Sequence, residues 1–274
     1  MSTGDLNDKA KLLKALHEDV LVLPNVWDAS SAAVVALAGA KAIATTSAGV
    51  AWALGRPDGH KLGRQEATAA VGRIAGAVDL PVTADLENGY GASPDDVAAT
   101  VRAAIAAGAV GCNLEDSRDR GEPLHTPEEQ AARIAAARSA AIAAGVPDFV
   151  INARTDVHLY QIGEPDERPA DVRGRAAIYQ NAGADSLFVP GLLDLAALRE
   201  LTSSVGLPVN AMAGPGAPTV AELADAGVRR ISVGGSLHLA AYAAAHQAAV
   251  ELLETGTYGA FPDPSAIARA VVLR

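Results

Sequence analysis

The 274-residue chain has a single cysteine, Cys112, so no internal disulfide can form, and no Cys/His cluster carries the spacing of a zinc site. A reducing compartment, the cytoplasm, is the expected location. Aromatic residues make up only 4% of a chain that is 50% hydrophobic, which leaves Ala, Val, Leu and Ile to build the core. That hydrophobic share excludes disordered and fibrous classes. No apolar run approaches the roughly 18 residues of a membrane span, and residues 1–14 are too charged for a secretory signal. Lys and Arg total 22 against 32 Asp and Glu, a formal net charge of -10, with no basic run anywhere. A phosphate backbone would be repelled, so neither nucleic acid nor membrane is an expected partner.

What is present is a beat of short Val/Ile/Leu-rich runs, each followed by a longer Ala-rich segment at helical spacing. This is the pattern of a parallel sheet with crossover helices. Eight candidate strands fall at 20–26, 42–47, 81–87, 110–116, 149–155, 186–190, 208–212 and 230–234. Eight units in one chain of this length predict an α/β fold, a (β/α)8 TIM-type barrel forming a single domain over 1–274. A doubly wound open sheet is the alternative, but no G-x-G-x-x-G follows any candidate strand. Ser93-Pro94 and Thr126-Pro127 predict helix starts, and Gly39, Gly108, Gly145, Gly183 and Gly227 predict helix ends. The segment 256–264 leads into a C-terminal helical extension expected to end near Leu273.

A barrel places its chemistry at the carboxyl ends of its strands. Polar residues gather there: Thr45-Thr46-Ser47, Asp85-Leu86-Glu87, Glu115-Asp116, Asn152 to Asp156, and Asn210. Strand alternation puts Asp85 and Glu87 on one face, with Glu115 ending the neighbouring strand. Three converging carboxylates repel unless a cation lies among them, and an oxygen-rich set suits Mg²⁺ or Mn²⁺. The plainer reading is helix capping or pairing with Arg. Arg154, at the end of an apolar strand, can clamp a carboxylate or phosphate bidentately, a role compatible with an ion pair to Asp156 or Glu115. Alternation turns Cys112 toward the helices, away from any chemistry. Gly234-Gly235-Ser236 resembles a phosphate-cradling turn, or simply allows tight packing. His238 and His246, on one Ala-rich helix, are expected at the surface or an interface.

These residues resemble the phosphoenolpyruvate mutase/isocitrate lyase superfamily along almost the whole chain. Leu23-Pro24-Asn25-Val26-Trp27-Asp28-Ala29 is similar to its opening strand, and Ser47-Ala48-Gly49-Val50 with Leu54-Gly55-Arg56-Pro57-Asp58 to its substrate loop. The run from Pro81 to Gly91 resembles the metal motif, with Glu87 where many members carry Asp. Asn113-Leu114-Glu115-Asp116, Ala153-Arg154-Thr155-Asp156, and Asn210 with Pro218 complete the series. The resemblance implies a barrel whose last helix is exchanged between subunits in a dimer of dimers. It implies Mg²⁺ on Asp85, mostly through water with Glu87 and Glu115, and a small carboxylate substrate held by Thr46, Ser47, Ala48, Asp85, Arg154 and Asn210. Asp58 is expected near the reacting end.

Two departures matter. The loop from Ser117 to Thr126 lacks the cysteine with which lyases of this family protonate a departing enolate, leaving His125 or Glu122 as acid/base candidates. Phe188 stands near the point where many members have a glutamate. The expected function is a Mg²⁺-dependent lyase or decarboxylase cleaving a C–C bond in a small 2-oxo or 2-hydroxy di- or tricarboxylate through an enolate. The alternatives are a phosphonate P–C mutase or hydrolase, of carboxyphosphonoenolpyruvate or phosphonopyruvate type, and a barrel that binds a dicarboxylate without turnover.

Overall fold

Proline has no amide hydrogen to donate to a sheet, and Pro24 divides the first expected strand in two. The computed structural model describes residues 2–118, 122–261, 263 and 265–272. Its elements begin with α1 (Thr3–Ala15), a 3-10 turn (Leu16–Glu18), β1 (Leu21–Leu23), β2 (Asn25–Val26), α2 (Ala29–Leu37), β3 (Ile43–Thr45), α3 (Ser47–Ala53), α4 (Arg64–Gly76) and β4 (Val82–Asp85). They continue with α5 (Pro94–Ala106), β5 (Gly111–Glu115), α6 (Pro127–Ala143), β6 (Val150–Arg154), α7 (Arg168–Asn181), β7 (Ser186–Phe188) and α8 (Leu195–Ser204). The last are β8 (Val209–Met212), α9 (Val220–Asp225), β9 (Arg230–Ser232), α10 (Ser236–Thr255) and α11 (Ser265–Val272).

All strand pairs are parallel, in the order β1-β9-β8-β7-β6-β5-β4-β3-β2. β1 and β2 are therefore the two edges of the sheet, yet only Pro24 separates them in the chain, so the sheet returns on itself as a TIM-type barrel. Among the described residues there are nine strands rather than the expected eight, because Pro24 splits the first. Asn25 ties the seam together: its Nδ2 donates to the Thr45 carbonyl at 2.9 Å, and its Oδ1 accepts from the amides of Val233 and Gly234 at 2.8 and 3.0 Å.

Local signals in the sequence act as expected. Ser93 and Thr126 each accept from the amide three residues on at 3.2 Å, and Asp96 and Glu129 return the bond at 3.1 and 2.9 Å. The five glycines expected at helix ends all have φ between 79° and 104°, a region costly for other residues. α11 lies against α2. Its expected end at Leu273, and Asp119, Arg120 and Gly121 of the loop after β5, lie outside the described residues.

The barrel interior carries a polar layer set by register, since Asn113 pairs with Asn152 and Asn152 with Ser186. Ser186 donates to Asn152 at 2.7 Å, Asn152 to Asn113 at 2.8 Å, and the buried Arg230 donates to the same Asn113 oxygen at 3.2 Å. Below it, α1 plugs the amino-terminal end; a Cβ on Gly111 would come within 2.9 Å of the Val150 carbonyl oxygen and 3.0 Å of Leu13, so the position favours glycine. His17 is buried there with Nδ1 donating to the Leu13 carbonyl at 2.8 Å.

Burial, helped by the Arg230 charge, pushes His17 down to about 4 from 6.5. The native state thus stays unprotonated where the unfolded chain binds a proton, so this residue lowers stability as pH falls from 6.5 toward 4. His17→Gln keeps a donor for the Leu13 carbonyl but cannot titrate. It is expected to recover roughly 2–3 kcal/mol of the stability the parent loses between pH 7.5 and pH 4. Urea unfolding at both pH values measures this, and an unchanged loss in the variant would contradict it.

Candidate functional site

The carboxyl ends of β3 to β6 bring the expected polar residues to one mouth. Asp85, the last residue of β4, is fixed by its neighbour strand: its amide donates to Thr45 Oγ1 at 2.8 Å, and its Oδ2 accepts from the Ser47 amide at 3.0 Å. Thr46 precedes α3 as its cap position. The Ser47 amide, expected to hold a substrate carboxylate, is thus spent on Asp85 here. The β5–β6 register sets Glu115 beside Arg154, and their side chains pair at 2.9 Å. Asp156 holds the other side of the guanidinium, accepting from Nε at 2.6 Å and Nη2 at 3.2 Å. Burial disfavours the charge on Arg154, but Glu115 and Asp156 outweigh it and hold the guanidinium ionised.

Glu87 does not reach this mouth by strand alternation, because β4 ends at Asp85. It sits at φ 50°, in the left-handed region, as do His60 at 60° and Tyr90 at 54°. Left-handed backbone is strained for non-glycine residues and collects at functional sites. The strained His60 is the residue that sequence reasoning missed. Its amide donates to Glu87 Oε1 at 2.9 Å, and its Nε2 lies 2.6 Å from Glu115 Oε1. It follows Asp58-Gly59 in the loop already singled out, but nothing in a turn sequence tells which side chain will face inward.

The three carboxylates expected to share a cation are therefore not equivalent. Asp85 Oδ1 and Glu87 Oε2 are buried without a hydrogen-bond partner, whereas both oxygens of Glu115 are engaged, by His60 and Arg154. Burial, with Asp85 nearby, pushes Glu87 up to about 7. Among the described residues no group of three or more His, Cys, Asp or Glu side chains is arranged to hold a metal. The two orphaned oxygens are hard donors of the kind Mg²⁺ or Mn²⁺ takes; they fit a cation at Asp85 and Glu87, with Glu115 behind.

Two cavities open at this end. One, of about 290 Å³, is lined by Thr46, Ser47, Ala48, Asp58, Asp85 and Arg154, together with Asn25, Asn113 and Ser232. Its remaining lining includes Trp52, Leu159, Phe188 and Met212, an apolar surface of which motif reading had singled out Phe188 alone. Burial raises the Asp58 pKa above its ordinary value, against the hydrogen bond from the Gly59 amide. Asn210 does not line this space; it lies behind Ser232, whose hydroxyl donates to it at 3.3 Å. His125 and Glu122 line a separate cavity of about 410 Å³, with His60, Arg64, Tyr90 and Arg118. Burial, with Arg133 and Arg118 nearby, pushes His125 down to about 4.

Two further expectations meet the structure. Cys112 is fully buried in the core outside the barrel interior, and burial pushes its thiol up to about 12, as an inert cysteine requires. His238 is not at the surface. It is buried with its ring 4.6 Å from Trp27, 5.3 Å from Trp52 and stacked on Tyr242 at 4.4 Å. Helical periodicity could not show this, because both tryptophans come from the far end of the chain. His246 is exposed, as expected.

A buried network backs the mouth. Asp116 accepts from Tyr179 at 2.8 Å, from Arg175 at 3.0 Å and from the Asp156 amide at 3.0 Å, and Asp156 also accepts from Ser117. Arg175→Met strands the Asp116 carboxylate and is expected to cost about 3–5 kcal/mol in urea unfolding. Tyr179→Phe removes one neutral donor and should cost about 1 kcal/mol. Equal small losses would show that the network carries no charge-specific energy.

The geometry agrees with comparison to known proteins. The family model described as phosphoenolpyruvate phosphomutase matches residues 13–253. A solved structure from Burkholderia cenocepacia J2315, provisionally described as a phosphonomutase, is 49% identical, covers 89% of this chain and 99% of its own, and superposes with a TM-score of 0.85. Oxaloacetate acetylhydrolase in complex with oxalate is 28% identical over 97% of this chain and 95% of its own, again with a TM-score of 0.85. The 2-methylisocitrate lyase of Escherichia coli K12 is 33% identical over 200 residues, 70% of this chain and 64% of its own. A matched model over most of the chain, relatives that cleave or rearrange C–C and P–C bonds, and carboxylates gathered about one arginine lead to one assignment: this chain belongs to the phosphoenolpyruvate mutase/isocitrate lyase superfamily.

Proposed function

We propose that the chain is a divalent-cation-dependent lyase or decarboxylase that cleaves a C–C bond in a small 2-oxo or 2-hydroxy acid. The observation that carries this is the cavity of about 290 Å³ in which Asp85, with its orphaned oxygen, meets Arg154 and Asp58. Asp85 and Glu87, with Glu115 behind, would hold Mg²⁺ or Mn²⁺, which when bound supplies positive charge against developing charge on a substrate oxygen. Arg154 orients the substrate carboxylate and stabilises the same charge, preorganised by Glu115 and Asp156 so that it need not move as the bond breaks. In a 2-oxo acid that carries a carboxylate on its third carbon, the C–C bond to that carboxylate breaks, CO₂ leaves, and the electron pair passes to the 2-carbonyl oxygen as an enolate. The carbon that lost its partner then takes a proton. Asp58 lines this cavity and has a raised proton affinity, so it is assigned that proton, in place of the absent loop cysteine.

The phosphonate reading draws on the 49% identical structure provisionally described as a phosphonomutase. Release of phosphate from phosphonopyruvate separates it from C–C cleavage. With Mg²⁺ present, the parent should release pyruvate and CO₂ from oxaloacetate, pyruvate from methylisocitrate, or glyoxylate from isocitrate, in at least one of the three cases. Asp85→Ala should abolish this turnover while the circular dichroism and melting temperature remain those of a folded barrel. Full activity in that variant would refute the proposal, and metal-dependent binding without turnover of any acid would favour a binding barrel.

The same reading extends to assembly as a homo-oligomer with exchanged helices. Of the 20 residues of α10, His238 is the one buried, while Leu239, Tyr242 and Leu253 are 58%, 54% and 84% exposed. Outside β1, a cavity of about 670 Å³ lined by Val20, Val22, Pro24 and Val35 stands where a barrel would carry a helix. A second copy supplying α10 is expected to cover such surfaces. Light scattering should give a dimer or tetramer for the parent and a smaller species for Leu239→Glu combined with Tyr242→Glu; a monomeric parent would overturn this assignment.

A further inference from the structure

Arg230 is a buried cation that the chemistry proposed above does not use. It is 1% exposed, and its Nε and Nη1 have no hydrogen-bond partner among the described residues. Its side-chain bond runs from Nη2 to Asn113 Oδ1 at 3.2 Å. A guanidinium can only donate. Asn113 must therefore present its oxygen on that side, and the same oxygen accepts from Asn152 Nδ2 at 2.8 Å. Asn152 in turn accepts at 2.7 Å from the Ser186 hydroxyl, a group able to bond in either sense. The direction of this row of bonds is thus set at Arg230.

That direction decides which end of Asn113 is left over. Asn113 is 7% exposed, lines the mouth cavity, and is the register partner of Asp85 on the neighbouring strand. Its Nδ2 donates to no described residue, Asp85 included, whose Oδ1 has no partner. Several other donors around the cavity are committed: Asn25 Nδ2 to the Thr45 carbonyl, the Ser232 hydroxyl to Asn210, the Ser47 amide to Asp85, and three Arg154 nitrogens to Glu115 and Asp156. The hydroxyls of Thr46 and Ser47 can rotate to donate or accept. The Asn113 amide cannot turn over without setting its NH2 against the donors of Arg230 and Asn152. An acid whose carboxylate lies on Arg154, on β6, and whose 2-oxygen lies toward Asp85, on β4, crosses Asn113 on β5.

We infer that Asn113 is a substrate-binding residue whose Nδ2 donates to the 2-oxygen of the bound acid, and that Arg230 is the positioning residue that keeps this donor turned to the cavity. The inference rests on the 2-oxo- or 2-hydroxy-acid reading above and extends it; the bond strengthens as negative charge collects on that oxygen. The test compares pyruvate with lactate, which share a carboxylate and differ at the 2-oxygen, an acceptor in one and a hydroxyl able to donate in the other. Asn113→Asp keeps an oxygen for Arg230 and Asn152 and replaces only the NH2 by an acceptor. Calorimetric titration of the full chain with Mg²⁺ should show the ratio of the pyruvate to the lactate dissociation constant rising about tenfold or more in this variant. The added charge repels both acids alike, so the ratio reports the lost donor. Arg230→Met frees the amide to turn over and should raise the same ratio about threefold, whereas a merely structural role would weaken both acids equally. An unchanged ratio in Asn113→Asp overturns the inference, and an unchanged ratio in Arg230→Met overturns the role given to Arg230. A crystal structure of the parent with Mg²⁺ and oxalate tests the contact without any variant: Asn113 Nδ2 is expected within about 3.2 Å of an oxalate oxygen, and a separation beyond about 4 Å refutes it. If oxalate binds the parent but these tests fail, the inference falls alone. If oxalate does not bind the parent with Mg²⁺, the reading beneath it falls as well.

Discussion

Arg154 is a full positive charge placed in a barrel mouth otherwise supplied with carboxylates, and the arrangement of the mouth follows from how that charge is compensated. The β5–β6 register delivers Glu115 to one side of it, and the chain's own continuation delivers Asp156 to the other. Neither acid could be buried alone without severe desolvation cost, and the arginine could not be buried without them. The cluster is therefore cooperative, and its remaining donors are aimed by bonds that exist before any substrate arrives. Behind it, Asp116 with Arg175 and Tyr179 repeats the same solution one layer deeper. Pairing acid with base in successive layers lets so much charge occupy so little accessible surface.

The second constraint is backbone strain. Glu87, His60 and Tyr90 all hold left-handed conformations without being glycine, and all three border the carboxylate cluster. Such conformations persist where surrounding contacts over-determine them. Here the His60 amide bond to Glu87 and its ring contact with Glu115 cross-link two loops over the acids. The strain and the unsatisfied oxygens of Asp85 and Glu87 occur together. A cation held as proposed above would satisfy both oxygens at once.

Function is decided by the site a fold carries, not by the fold itself. In this chain the surroundings depart from the family pattern at two points that the structure puts in different places. The loop after β5 that lacks a cysteine leads to His125 and Glu122, which line their own cavity rather than that of Arg154. Phe188, near the point where the resemblance would place a glutamate, has its ring centroid 5.6 Å from Arg154 Cζ. On the function proposed above, the first change leaves Asp58 to supply the proton, and the second adds Phe188 to the apolar residues of that cavity.

Strand positions, helix caps at Ser93 and Thr126, glycine stops, and the carboxylates at strand ends were all legible in the chain, because each depends on a short-range rule. Period-two alternation placed Asp85, Glu115 and Arg154 at one mouth and turned Cys112 away from it. The same rule failed for Glu87, since the strand ends two residues earlier, and it was silent on His60, whose role depends on a loop folding back over two strands. The burial of His238 against Trp27 and Trp52 was equally out of reach, because it joins residues some 200 positions apart. By itself the sequence determined the barrel, its repeat and the chemical inventory of its mouth, for these follow from local periodicity and residue type. Only the tertiary structure decided which oxygens stay unsatisfied, which cavity each acid faces, and that the one arginine there shares its pocket with an apolar wall, because pairing and exclusion of water are properties of distances that no single segment encodes.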